Sequence, residues 1–125
     1  MYQHLRPGGK FIIEIETVTS APQESGFWQS AQCKRDDDSI IELNALICYE
    51  KESQIFTSHC RYDLITQGKI VETEKEVFQQ YLYQFDEMDG MLAEAGFSSI
   101  KKYQDHHHTS ATDRNAPLLI YECTK

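Results

Sequence analysis

The chain has 125 residues, enough for one compact domain with its own core and too few for two of ordinary size. Its net charge of −8, with no basic cluster beyond the pairs Lys34-Arg35 and Lys101-Lys102, excludes a general nucleic-acid binder, which needs gathered Lys and Arg for phosphate contacts. No apolar run approaches the roughly 18 to 20 residues of a membrane span, and Met1-Tyr2-Gln3-His4-Leu5-Arg6 carries no signal pattern. The expected location is cytoplasmic. Cys33, Cys48, Cys60 and Cys123 form no C-x-x-C pair, so reduced thiols are expected and no metal site.

Leu5-Arg6-Pro7-Gly8-Gly9 reads as a tight turn into a strand, because Pro restricts the residue before it and paired glycines supply positive φ. The strand is Lys10 to Thr17, β-branched and nearly continuously apolar at its start, a pattern that predicts burial on both faces. From Val18 to about Gln29 the periodicity breaks down around Ser20, Ala21, Pro22, Ser25 and Gly26, which predicts a loop anchored by Phe27 and Trp28. A strand near Ser30 to Arg35 follows. Then Ile41, Leu43, Ala45, Ile47 and Tyr49 alternate with mostly polar residues. In the next strand Phe56, Cys60, Tyr62 and Leu64 take one face, and Thr57, His59, Arg61 and Asp63 the other. A last strand from about Ile70 to Tyr83 completes an expected antiparallel meander.

The period then changes to 3.6. Asp86 stands where an N-cap belongs, Met88, Met91, Leu92 and Ala95 are expected on the buried face, and Gly96 suits the C′ position. Two further strands, Phe97 to Gln104 and Leu118 to Thr124, flank a polar loop and predict a hairpin. The His106-His107-His108 tract in that loop has no ligand-spaced partner and is not expected to bind metal.

Three landmarks in order resemble the second half of the class I S-adenosylmethionine-dependent methyltransferases. Leu5-Arg6-Pro7-Gly8-Gly9-Lys10-Phe11 is similar to the L-x-P-G-G turn into that family's fifth strand. Met91-Leu92-Ala93-Glu94-Ala95-Gly96-Phe97 resembles the M-L-x-x-A-G-F junction of its last helix with the sixth strand, and Leu118 to Cys123 the seventh strand, inserted antiparallel between the fifth and sixth. The resemblance spans nearly the whole chain. It implies a partial α/β fold: the C-terminal half of a Rossmann-like sheet carrying an inserted antiparallel meander over residues 30–83, locally α+β and strand-rich, within a single domain 1–125.

The same resemblance implies part of a small-molecule methyltransferase, with the insert serving acceptor recognition or dimerisation. S-adenosylmethionine is the expected cofactor of the complete enzyme. None is expected for this chain alone, because its six glycines form no nucleotide-binding loop, so the isolated chain is expected to be inactive. The competing reading is a non-enzymatic α+β module that binds a ligand or dimerises without a cofactor site.

Candidate acceptor contacts are Glu14 and Glu16, at the strand edge where open α/β sheets place ligands, and Trp28, His59, Arg61 and Tyr81 on or beside the meander. A carboxylate at Glu14 or Glu16 can position an amine or take its proton; the plainer reading is a charge reaching solvent. His59 and Arg61 read equally as a solvated sheet face, Trp28 as loop packing and Tyr81 as core. No nucleophilic triad can be assembled, and catalytic residues are left unassigned. An unpaired edge along Phe11 to Thr17 predicts a homodimer or strand-exchanged assembly.

Overall fold

The chain enters its first strand through a turn that only glycines accommodate. Gly8 has φ +74°, a left-handed conformation that costs other residues strain. Gly9 is required for a different reason: a Cβ there would lie 2.8 Å from the Arg6 carbonyl oxygen, the group that accepts the Gly9 N–H at 2.8 Å. Only the first of the two glycines therefore has positive φ. The structure, a computed structural model, describes residues 1–125 as two compact units, Met1–Ala21 with Leu82–Lys125, and Pro22–Tyr81.

In the first unit, β1 (Lys10–Glu16), β6 (Ser99–Tyr103) and β7 (Leu118–Thr124) form a three-stranded sheet in the order β1-β7-β6. β7 is antiparallel to both neighbours, the placement implied for a seventh strand between a fifth and a sixth. Being central, β7 holds the best-buried side chains, Leu119, Tyr121 and Cys123, each large apolar group contributing roughly 1.5 to 3 kcal/mol. Ile15, Met88, Leu92 and Ala116 complete this core, with Phe11, Ile13, Phe97 and Ile100 packed against it.

The prediction that the first strand is covered on both faces is corrected here. Phe11, Ile13 and Ile15 point into the core, whereas Ile12 is 63% exposed among Lys10, Glu14 and Glu16, all exposed. A dense β-branched run imitates two-sided burial, but the flanking charges decide which face stays in water. β1 pairs along its length with β7, and beyond its end Thr17 makes a single parallel bridge to Tyr83.

Helix α1 (Glu87–Glu94) follows Asp86 at the N-cap position, although no side-chain cap bond forms there; the Asp86 carboxylate is held by Arg114 and Lys102 instead. Met88 and Leu92 are buried. Met91, expected in the core, is 53% exposed, and Ala95 is exposed too, because two turns of helix bury a single i, i+4 stripe. Gly96 closes the helix at φ +98°, and Phe97 stacks on Phe11 with ring centroids 5.8 Å apart.

The second unit is the expected meander: β2 (Phe27–Lys34), β3 (Ile40–Glu50), β4 (Ile55–Thr66) and β5 (Lys69–Tyr81), ordered β2-β3-β4-β5 and antiparallel throughout. It starts at Phe27 rather than Ser30 and ends at Tyr81 rather than Tyr83. Phe27 and Trp28 belong to β2, so the loop is shorter than its composition predicts. Gln67 and Gly68, at φ +50° and +73°, form the two-residue hairpin turn between β4 and β5, matching the strands' twist. Ala45, Ile47 and Cys60 are buried on one face beside Leu43, Phe56 and Tyr62.

One position departs from its alternation. Asp63, expected on the solvated face with His59 and Arg61, is 3% exposed. It accepts hydrogen bonds from the Thr73 hydroxyl at 2.5 Å and from Arg61 Nε, and the ladder shifts register immediately afterwards, between Leu64 and Ile65. The extra residue there, Val71 on β5, tightens the local twist.

Candidate functional site

The end of β1 is fastened by Thr17. This residue is buried, donates its hydroxyl to the Ala116 carbonyl at 2.6 Å and accepts the Thr19 N–H at 3.3 Å. Its own N–H bonds to Pro117 O, and Glu16 and Val18 exchange backbone bonds with Tyr83, each at 3.0 Å. Three segments are thereby drawn together at the C-terminal edge of β1, where they enclose a cleft of about 610 Å³ lined by Thr17–Thr19, Gln84–Glu87, Arg114 and Asn115. Clefts of roughly 300 to 1,000 Å³ hold small molecules.

The cleft floor is stiffened by charge. Lys102 Nζ donates to the Phe85 carbonyl at 2.6 Å, to Asp89 at 2.9 Å and to Asp86 at 3.3 Å, and lies 3.7 Å from the Phe85 ring centroid. Arg114 binds the second Asp86 oxygen at 2.6 Å and lies over the same ring at 5.1 Å. The Arg114 hydrogen bond, with Lys102 adding to it, holds the Asp86 carboxyl below the usual carboxylate range. Asp86 is thus an anchored anion rather than a free base. The cleft's chemistry is that of positioning: the Thr19 hydroxyl, amides from Gln84 and Asn115, and an aromatic edge.

The predicted contacts fall in both units. Glu14 and Glu16 sit at the end of β1, three residues and one residue before the cleft's Thr17, on the exposed face. A Glu14 carboxylate oxygen lies 3.2 Å from His106 Nε2, and Glu16 accepts from the Ser20 hydroxyl at 3.3 Å. In the second unit, cross-strand register places Trp28, Leu46, His59 and Val77 in one row across the sheet. Arg61 and Tyr81 project from the same face, since both keep the parity of His59 in the paired register. Four predicted residues therefore share one surface. Arg61 is engaged with Asp63 at 2.9 Å, and the Tyr81 hydroxyl receives Gln54 Nε2 at 3.0 Å. Arg114, Asn115 and Gln84, which line the cleft, carried no signal, because polar residues in loops do not reveal their neighbours.

Nothing gathers three or more His, Cys, Asp or Glu side chains for a metal ion. The histidine tract diverges: His106 turns to Glu14 and His108 stacks on Tyr103 at 4.8 Å. No helix is long and apolar enough to cross a membrane.

No family model and no curated protein matches the chain. Among solved structures it is similar to an S-adenosylmethionine-dependent methyltransferase from Clostridium acetobutylicum ATCC 824, with TM-score 0.72 and 15% identity over 98% of this chain and 47% of that one. It is similar to DesVI of Streptomyces venezuelae, with TM-score 0.69 and 15% identity over 98% and 46%. A third is SAM-bound CalS10 from Micromonospora echinaspora, an amino pentose methyltransferase involved in calicheamicin biosynthesis, with TM-score 0.67 and 16% identity over 99% and 47%.

The chain has the fold of a partial methyltransferase domain, α/β in part and strand-rich, and spans about half the length of these structures. None of its six glycines lies at a turn from the end of a strand into a helix. A donor site needs a glycine-rich turn from the end of a strand into a helix, whereas Gly8 and Gly9 precede β1, Gly26 precedes β2, Gly68 lies in a hairpin, Gly90 within α1 and Gly96 after it.

Proposed function

We infer that this chain is part of an S-adenosylmethionine-dependent methyltransferase acting on a small molecule, and that its portion supplies acceptor recognition, dimerisation or both. The observation that carries this reading is the fold itself: an alignment over 98% of the chain to methyltransferases, with β7 seated between β1 and β6. The cleft beyond β1 is the acceptor's place in this reading, and the open edge of β1 is where the rest of such a sheet pairs. Glu14 and Glu16 guard the approach to the cleft. Trp28, His59, Arg61 and Tyr81 form the second unit's recognition surface. Methyl transfer suits such a site, because the sulfonium is already activated and the protein's task is to align the acceptor and accept a proton.

Calorimetric titration of the folded chain with S-adenosylmethionine and S-adenosylhomocysteine tests the division of labour. No heat of binding is expected. Micromolar affinity would show that the donor site is built within these residues and would overturn the assignment of this portion to the acceptor. Amide chemical-shift mapping with a panel of small amines and alcohols completes the test: shifts should concentrate at Thr19, Gln84 and Asn115, and their confinement to other segments would remove the cleft from the proposal.

A further inference from the structure

The three-stranded sheet has an outer face besides the one that packs on α1. Cross-strand register sets Ile12, Glu122 and Lys101 in one row of that face, and Glu14, Ile120 and Tyr103 in the next. In the first row Ile12 is 63% exposed, and Glu122 is occupied by Lys10 and Lys101. In the second row Ile120 is only 8% exposed, although Met88 and Leu92 of α1 pack on the other side of the sheet with Leu119 and Tyr121. The loop after β6 spans this second row. His106 Nε2 lies 3.2 Å from a Glu14 carboxylate oxygen on β1, and His108 stacks on Tyr103 of β6 with ring centroids 4.8 Å apart. The two histidines thus engage the two ends of the row, with Ile120 between them.

The loop holds its own shape. One Asp105 carboxylate oxygen accepts the N–H groups of His107 at 2.8 Å and Thr109 at 3.1 Å. His108 takes the left-handed φ of +61°, which His adopts more readily than most residues. The base is closed by a backbone bond from the Gln104 N–H to the Thr109 carbonyl at 2.9 Å. These ties all lie within the loop or on its β6 side, and the His106–Glu14 contact carries it across to β1.

We propose that this loop is a pH-operated strap: a protonated His106 latches it to Glu14 over Ile120, and loss of that proton lets it swing away on its β6 side, opening the centre of the outer face beside Ile12. The surroundings fix the sign. Besides Glu14, the charged groups around the imidazole are Glu16 two residues along β1, Glu122 on β7 and Asp105 in the loop itself. The lysines of this face, Lys10 and Lys101, are drawn to Glu122. His107 and His108 share the loop, and the charge of His108 acts on Glu122. Neighbouring carboxylates favour the charged form of an imidazole. An imidazole changes charge between about pH 5 and 8, and a charge-assisted hydrogen bond is roughly twice as strong as a neutral one. The latch is therefore firmest at the acidic end of that range and is lost as pH rises through it. Both partners are exposed, so the pair shifts the balance of open and closed strap by up to about fivefold.

The test uses the full chain with its isoleucine methyl groups carbon-13 labelled, and a neutral paramagnetic chelate in solution as the probe of exposure. Between about pH 5 and 8, relaxation of the Ile120 methyls by the chelate should rise with pH, up to about fivefold, in step with the titration of the His106 ring resonances. Ile12 serves as the exposed reference and should stay constant. Glu14→Gln should hold Ile120 at its high-pH exposure throughout, whereas His107→Gln should follow the parent. Chemical-shift maps of both variants check that the sheet is kept. Ile120 exposure that is flat with pH, that rises on acidification, or that keeps its pH dependence in Glu14→Gln would overturn the proposal. Nothing in it depends on methyl transfer, which the donor titration tests separately.

Discussion

Tyr121 is the largest side chain in the core, fully buried on the central strand, and its hydroxyl oxygen has no partner at full hydrogen-bonding distance, although the Asp89 carboxylate lies near enough to act on it. Burial first, and the nearby Asp89 carboxylate second, push its ionisation far above the usual tyrosine range, so the hydroxyl stays neutral. A buried hydroxyl without a partner lowers stability by about 1 to 3 kcal/mol relative to a satisfied one. Tyr121→Phe keeps the ring and removes only that oxygen. Thermal unfolding of this variant should show a melting temperature equal to or above that of the parent; a loss of more than about 1 kcal/mol would reveal a bond to Tyr121 in solution. At this scale the sequence is least legible. Leu118 to Cys123 announces a buried strand without saying which residue is deepest, and the alternation around Asp63 points it outward because the register shift one residue later leaves no trace in composition.

Among the elements, α1 shows both the reach and the limit of local signals. Its end is written plainly, since Ala95-Gly96-Phe97 predicts an αL residue followed by an anchoring ring, and Gly96 at φ +98° with Phe97 on Phe11 is the result. Gly96→Ala should cost about 1 to 2 kcal/mol by chemical denaturation. Strain in φ is the cause, because a Cβ there meets the Tyr2 ring at an ordinary 3.4 Å; an unchanged midpoint would show that the helix end rearranges. The helix's buried face was less legible. Periodicity groups Met88, Met91, Leu92 and Ala95 alike, yet only Met88 and Leu92 reach the core, because a helix of eight residues cannot turn more than one stripe inward. The meander's strands were legible from alternation and their turns from Gly and polar clusters. How much of β2 and β5 would stand in water was not, since exposure depends on what a face meets, and strand periodicity carries no such information.

For the molecule as a whole, carboxylates couple stability to pH. Asp63 is held below the usual range by the Thr73 hydroxyl and Arg61, Asp86 by Arg114 and Lys102, Glu122 by Lys10, and Asp105 by Thr109. A depressed folded-state pKa adds stability above the unfolded value and loses it as pH falls through the folded one. Melting temperature should therefore be nearly flat near neutrality and fall on acidification below the ordinary carboxylate range, less steeply in Asp63→Asn; a melting temperature that rises on acidification would contradict these assignments. The order β1-β7-β6 was legible only through resemblance to a family, because hydrophobic periods identify strands and leave their neighbours open. The bridge between Thr17 and Tyr83 has a consequence for the lengths of chain this fold accepts. The backbone leaves the first unit and comes back to it at adjoining positions running in the same direction, a geometry that no hairpin turn closes and that takes a crossover of about a dozen residues or more. Residues 22–81, a compact unit of their own, can therefore be lengthened or shortened with the host sheet's ladder left in register, as long as a crossover of that length remains.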